Sequence, residues 1–241
     1  MNSVGTVKSG SASSILLWPL FLLLCMIGIA AAVRRIVVLM APQVVAGGSQ
    51  MNLLDVSFVS RKVLTLCHIV PALLFVLLLP AWFLRGVRSR PKLHRRLTYT
   101  LFLLGAVVGV TALLLSLDPF GGLNESTAAI LYDCLFLFSL GRAWVTLRRG
   151  DFELHRRWMI RAVAVLLGIA TTRPVMAIFL ATASVTDLQP QQFFGTAFWI
   201  GFTATYIAGE AYLRSFPSSP QRAKMIGQSN YAVRIGDSRN R

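Results

Sequence analysis

The sequence predicts an all-α fold, a polytopic membrane bundle of about six transmembrane helices with both termini on the cytoplasmic side. Composition is the first observation behind this: 55% of the 241 residues are hydrophobic and only 14% are charged, against about 25% charged in soluble domains. Mean hydropathy is the second, at +0.65. The third is spacing. Charged side chains gather between apolar runs of about 20 residues, the length a helix rising about 1.5 Å per residue needs to cross roughly 30 Å of hydrocarbon. The tetrapeptide Leu-His-Arg-Arg occurs twice, at residues 93–96 and 154–157, each time just before such a run.

Lipid explains this pattern. An ionised side chain at the bilayer centre costs at least about 2.5 kcal/mol, and only a continuous helix or a closed barrel satisfies the backbone there. The first run, residues 14–33, follows Lys8. Lys8 and Ala30-Ala31-Ala32 also resemble the charged start and cleavage site of a signal peptide, but the run exceeds the usual 7 to 15 apolar residues, so it is expected to remain as a span. The second run covers 63–84 and contains Pro71; the third covers 97–117 with Gly105 and Gly109. The fourth, 127–147, and the fifth, 158–183, form a hairpin, the fifth carrying Gly168 and Pro174; the sixth is 193–213. Such Gly and Pro residues are tolerated in membrane helices, and the apolar content lies all round each run rather than on one stripe. Residues 1–13 are expected to be a cytoplasmic start, and the tail 214–241, rich in Ser, Arg, Asn and Gln, is expected to be disordered.

Orientation follows from the cations. With the N-terminus inside, 17 Lys and Arg fall in the inner segments and 4, namely Arg34, Arg35, Arg61 and Lys62, in the outer ones; cytoplasmic loops carry the excess. The net charge of +15 is explained by this topology without nucleic acid. The expected partners are the bilayer itself and anionic phospholipid head groups, each surface Lys or Arg contributing about 1 kcal/mol.

Catalytic signatures are absent from the sequence: no H-E-x-x-H, P-loop, G-x-S-x-G or dinucleotide fingerprint occurs. Cys25, Cys67 and Cys134 form no C-x-x-C pair and read as packing residues. Five ionisable residues inside the spans each need a partner. Asp133 and Arg173 lie at similar depth on neighbouring helices and are expected to pair, with His68 joining them in an outer polar cluster. Nearer the cytoplasm, Arg142, Arg161 and Glu210 suggest a second cluster, with Arg142 and Glu210 as its charge pair.

His94 and His155 each begin a helix, followed by Arg95-Arg96 and by Arg156-Arg157-Trp158. Histidines at matching depth on two helices are what a six-coordinate haem b requires, with those arginines available to its propionates. The competing reading makes them interfacial residues bonded to backbone or phosphate. His155 and Arg173 are 18 residues apart, five turns at about 3.6 residues each, which places them on one helix face.

The stretch Arg148-Arg149-Gly150-Asp151, followed by His155-Arg156-Arg157-Trp158-Met159-Ile160-Arg161 and by Thr171-Thr172-Arg173, resembles the bacterial predicted membrane proteins of the domain of unknown function 2306 family. His68 and the segment ending Pro91-Lys92-Leu93-His94-Arg95 match that family's first half. The resemblance covers about residues 63–174 and implies a multi-pass inner-membrane protein without assigned chemistry. Two readings follow. One is a non-catalytic bundle whose basic cytoplasmic loops hold lipid or a partner protein. The other is a b-type electron-transfer protein using His94 and His155 as iron ligands.

Overall fold

The structure is a computed structural model that describes residues 10–41 and 58–215, with side chains from residue 17. The expected basic tail beyond residue 215 and most of the N-terminal segment fall outside these. The described residues form seven helices and no strand. They are α1 (Gly10–Met40), α2 (Lys62–Phe83), the single turn α3 (Arg85–Arg88), α4 (Pro91–Ser116), α5 (Gly122–Arg148), α6 (Phe152–Thr186) and α7 (Pro190–Ser215).

A helix covers each of the six apolar runs, and five of them, α1, α2, α4, α5 and α6, are long and apolar enough to cross a membrane. The sixth, α7, has 26 residues, but Gln191, Gln192, Glu210 and several Gly, Thr and Tyr residues dilute its apolar content. Together these helices make a helical membrane bundle.

The helix ends follow local chemistry. Pro91 starts α4, where its missing N–H costs nothing. Gly150 takes φ of 76° in the tight turn between α5 and α6, a left-handed conformation that suits glycine. Asp151 then caps α6 by accepting a hydrogen bond from the Leu154 N–H at 3.0 Å. At the other end of α4, Arg61 donates to the carbonyl of Asp118 at 2.5 Å and meets its carboxylate at 3.3 Å, a cation placed at the negative end of a helix dipole.

Packing closes the bundle. α1 lies against α2, α2 against α4, α4 against α5, α5 against α6, and α6 returns to α1, while α7 packs outside on α6 and α5. The centre of this ring is filled by Phe75 and Leu79 of α2, Leu101 of α4, Phe136 and Leu140 of α5 and Met159 of α6. The outward side chains are also apolar, Leu103 being 67% and Ile178 66% exposed. Both faces are hydrophobic because the surroundings of the bundle are lipid rather than water.

α6 and α7 approach most closely, because small residues line their seam. A Cβ on Gly201 would stand 2.7 Å from the backbone N and 2.6 Å from the Cγ2 of Thr172, and one on Gly209 would stand 2.6 Å from the Ala164 Cβ. Overpacking a core costs about 1 to 3 kcal/mol. Since the obstacle at Gly201 is backbone, Gly201→Val is expected to destabilise by the upper part of that range, read as a lower midpoint of thermal unfolding in detergent. An unchanged midpoint would show that α7 is free to move away.

Candidate functional site

The side chains of interest gather at the arginine-rich end of the bundle. Trp82, near the end of α2, points into the ring and is 3% exposed. Its indole N–H donates to the Thr98 hydroxyl at 3.0 Å, and that hydroxyl donates to the His94 carbonyl at 2.8 Å. The His94 imidazole stacks on the indole with ring centroids 5.6 Å apart, and His155 meets it edge-on at 6.1 Å. The structure therefore brings His94 and His155 together around one tryptophan, although their helices α4 and α6 are not direct neighbours in the ring.

His155 is 4% exposed. Its Nδ1 lies 2.9 Å from the Ala143 carbonyl; since a carbonyl only accepts, Nδ1 carries the proton and Nε2 holds the lone pair. That buried Nε2, and the buried Nδ1 of His94, have no hydrogen-bond partner. The tautomer of His155 is the one a metal ligand uses, but the surroundings do not fit a haem. Phe102 covers His155 from 6.0 Å and Trp82 packs against both imidazoles, so aromatic rings stand where a macrocycle would have to lie. The space that a haem between His94 and His155 would need is filled in this structure by Trp82, which packs against both imidazoles.

The charge pair is also different from the one expected. Glu210 on α7 receives Arg161 of α6 in a two-pronged contact, Nε to Oε1 at 2.5 Å and Nη2 to Oε2 at 3.2 Å. Arg142 instead lies over the Trp158 ring at 5.5 Å, on which Arg161 also sits at 4.6 Å. Arg157 donates to the Leu213 carbonyl at 3.3 Å, tying the start of α6 to the end of α7. Arg95 and Arg96 point outward from the first turns of α4.

Toward the opposite end, the expected cluster of His68, Asp133 and Arg173 does not assemble. His68 Nδ1 lies 3.2 Å from the Val108 carbonyl and 3.0 Å from the Thr111 hydroxyl, so this histidine joins α2 to α4. Asp133 Oδ2 and Arg173 Nε are buried without hydrogen-bond partners, and no ion pair links the two residues. Arg173 lies within electrostatic reach of Arg34 on α1 instead. Equal depth on adjacent helices did not mean facing sides.

One feature had no counterpart in the sequence reading. α1 and α7 both rest on α6 and leave a groove between them, a cavity of about 940 Å³. Its floor is Val163, Ala164 and Leu167 of α6, and its walls include Phe21 and Leu24 of α1 and Ala208 of α7. The turn from α2 to α4 closes one end with Arg85, Arg88 and Arg90, joined by Arg156. The interior is apolar and the mouth cationic. The profile of the predicted membrane protein family DUF2306 matches residues 65–209. The chain belongs to that family. No curated protein and no solved structure matches it.

The DUF2306 match takes in His68, His94, Asp133, His155, Arg161 and Arg173, and it ends one residue before Glu210. Trp82 and Thr98 also fall inside it, and sequence reasoning passed over both. Trp82 had a usable signal, since an indole N–H placed inside lipid requires an acceptor. The groove had none, because it depends on α1, which precedes the DUF2306 region, packing against α6.

Proposed function

We propose that this DUF2306 protein is a non-catalytic helical bundle of a bacterial inner membrane, and that its arginine-rich face is cytoplasmic and holds anionic phospholipid head groups. One observation carries the reading: among the described residues, Arg85, Arg88, Arg90, Arg95, Arg96, Arg149 and Arg156 form no ion pair with a carboxylate, and they outnumber the three acids of this end, Asp151, Glu153 and Glu210. Asp151 caps α6 and Glu210 takes Arg161. The unpaired charge is thus available to phosphate. Each cation at the surface adds about 1 kcal/mol toward an anionic leaflet, and the excess on this face follows the distribution that cytoplasmic loops show.

Thermal unfolding in mild detergent tests this. Phosphatidylglycerol is expected to raise the midpoint more than phosphatidylcholine does, because a ligand of the folded state alone stabilises it by mass action, and the difference is expected to shrink as added salt screens the charges. Equal responses to the two lipids would refute the reading, as would a reporter fused at Ser89 that labels from outside the cell. A Soret band in the purified protein would reinstate the redox reading.

A further inference from the structure

We infer that the groove between α1 and α7 is a binding site for one anionic phospholipid, with an acyl chain lying along α6 and the phosphate held at the mouth by Arg85, Arg88, Arg90 and Arg156. This rests on the reading that the arginine face meets anionic lipid, and it adds a stoichiometric, shaped site to a diffuse electrostatic one.

Three features of the groove select this occupant. The first is the separation of charge. Charge is confined to the mouth, where three arginines come from one short connection, with Leu84 extended, α3 a single turn and Pro91 starting α4; the fourth, Arg156, comes from the first turns of α6. The second is length. From Arg156 to Leu167 the floor of the groove runs about 16 Å at about 1.5 Å per residue, close to the roughly 15 Å of hydrocarbon that one leaflet contributes to a 30 Å core. Arginines at head-group depth and Leu167 near the midplane match a single lipid standing in one leaflet. A free phosphate would leave most of that length unused. The third is volume, since about 940 Å³ lies near the top of the 300 to 1,000 Å³ range of small-molecule sites.

The seam between α6 and α7 explains why the groove stays open. Ala164 and Gly209 approach so closely that a Cβ on Gly209 would meet the Ala164 Cβ at 2.6 Å. α7 is therefore fixed on one flank of α6, while α1 packs on α6 and α2, leaving a cleft between them rather than a repacked seam.

Native mass spectrometry of the full chain, purified in mild detergent with equal amounts of phosphatidylglycerol and phosphatidylcholine, tests the proposal. The wild type is expected to retain one phosphatidylglycerol per chain with at least about tenfold preference. Ala208→Trp, on an exposed position of the groove wall, is expected to lose that lipid at least about tenfold while keeping the general stabilisation by phosphatidylglycerol. The triple variant Arg85→Gln, Arg88→Gln, Arg90→Gln, confined to an exposed turn, is expected to lose the preference for the anionic head group. Retention of the lipid by Ala208→Trp, or retention of phosphatidylcholine as readily as phosphatidylglycerol by the wild type, would overturn the site. If phosphatidylglycerol raises the unfolding midpoint but no lipid is retained, the groove proposal falls and the electrostatic reading stands; if it does neither, both fall.

Discussion

Replacing Glu210 with Ala is expected to destabilise the bundle by about 3 kcal/mol, the lower end of the range for breaking a buried ion pair. The lower end applies because the two side chains keep some exposure, 19% for Arg161 and 23% for Glu210. Glu210 is the only carboxylate in contact with Arg161 among the described residues, and its two oxygens take both the Nε and the Nη2 protons. Without it the guanidinium keeps only its place over Trp158, at 4.6 Å from the ring, a contact of about 0.5 to 2 kcal/mol. The reverse change, Arg161→Ala, strands the carboxylate and is expected to cost a similar amount. The double change Arg161→Met with Glu210→Leu is expected to return close to wild-type stability, since an apolar pair avoids the desolvation that the ion pair must offset. A double-mutant cycle on unfolding in detergent measures the coupling. If Glu210→Ala alone cost under about 0.5 kcal/mol, Arg161 would be reaching the head groups on its own, and the bridge between α6 and α7 would be incidental.

Trp82 is expected to give the second large effect. Trp82→Ala should cost about 4 kcal/mol, within the 3 to 5 kcal/mol found when a large buried aromatic is truncated. The loss combines three contacts: the hydrogen bond to Thr98 at 3.0 Å, the stack on His94 and the edge contact with His155. The resulting void would be lined by two imidazoles that each already hold an unpartnered nitrogen. Trp82→Phe separates the contributions. It keeps an aromatic ring and removes the N–H donor, so it is expected to cost about 1 to 2 kcal/mol. Equal losses for the two variants would mean that the hydrogen bond, and not the filling of the ring centre, is what Trp82 supplies.

The membrane fold was legible because lipid imposes a strict rule on sequence. A run that must stay apolar for about 20 residues is visible whatever it packs against, and helices formed over all six runs. The shortfall at α7 has the same cause. Its less apolar residues serve contacts to other helices: Thr203 with Tyr132 of α5 at 2.6 Å, Trp199 donating to Asn124 of α5 at 3.0 Å, and Gly201 against Thr172 of α6. A helix covered partly by protein can be less apolar than one facing lipid.

Pairings were harder to read. Counting residues gives the depth of a side chain, but its direction depends on how each helix is rotated about its own axis. Asp133 and Arg173 share a depth and do not meet, whereas Arg161 and Glu210 do. His94 and His155 both contact Trp82, which comes from a third helix whose position no spacing in the chain specifies. The groove needed still more, since it is a gap between two helices at opposite ends of the sequence.

The great length of α6 has a mechanical consequence. Its 35 residues span about 52 Å, some 20 Å more than the oily slab it crosses. The surplus must be divided between leaning and protruding, and that division shifts with the thickness of the surrounding bilayer. Because α6 is also the central strut on which α1, α5 and α7 rest, thinning or thickening the host membrane acts on the whole assembly through this one rod.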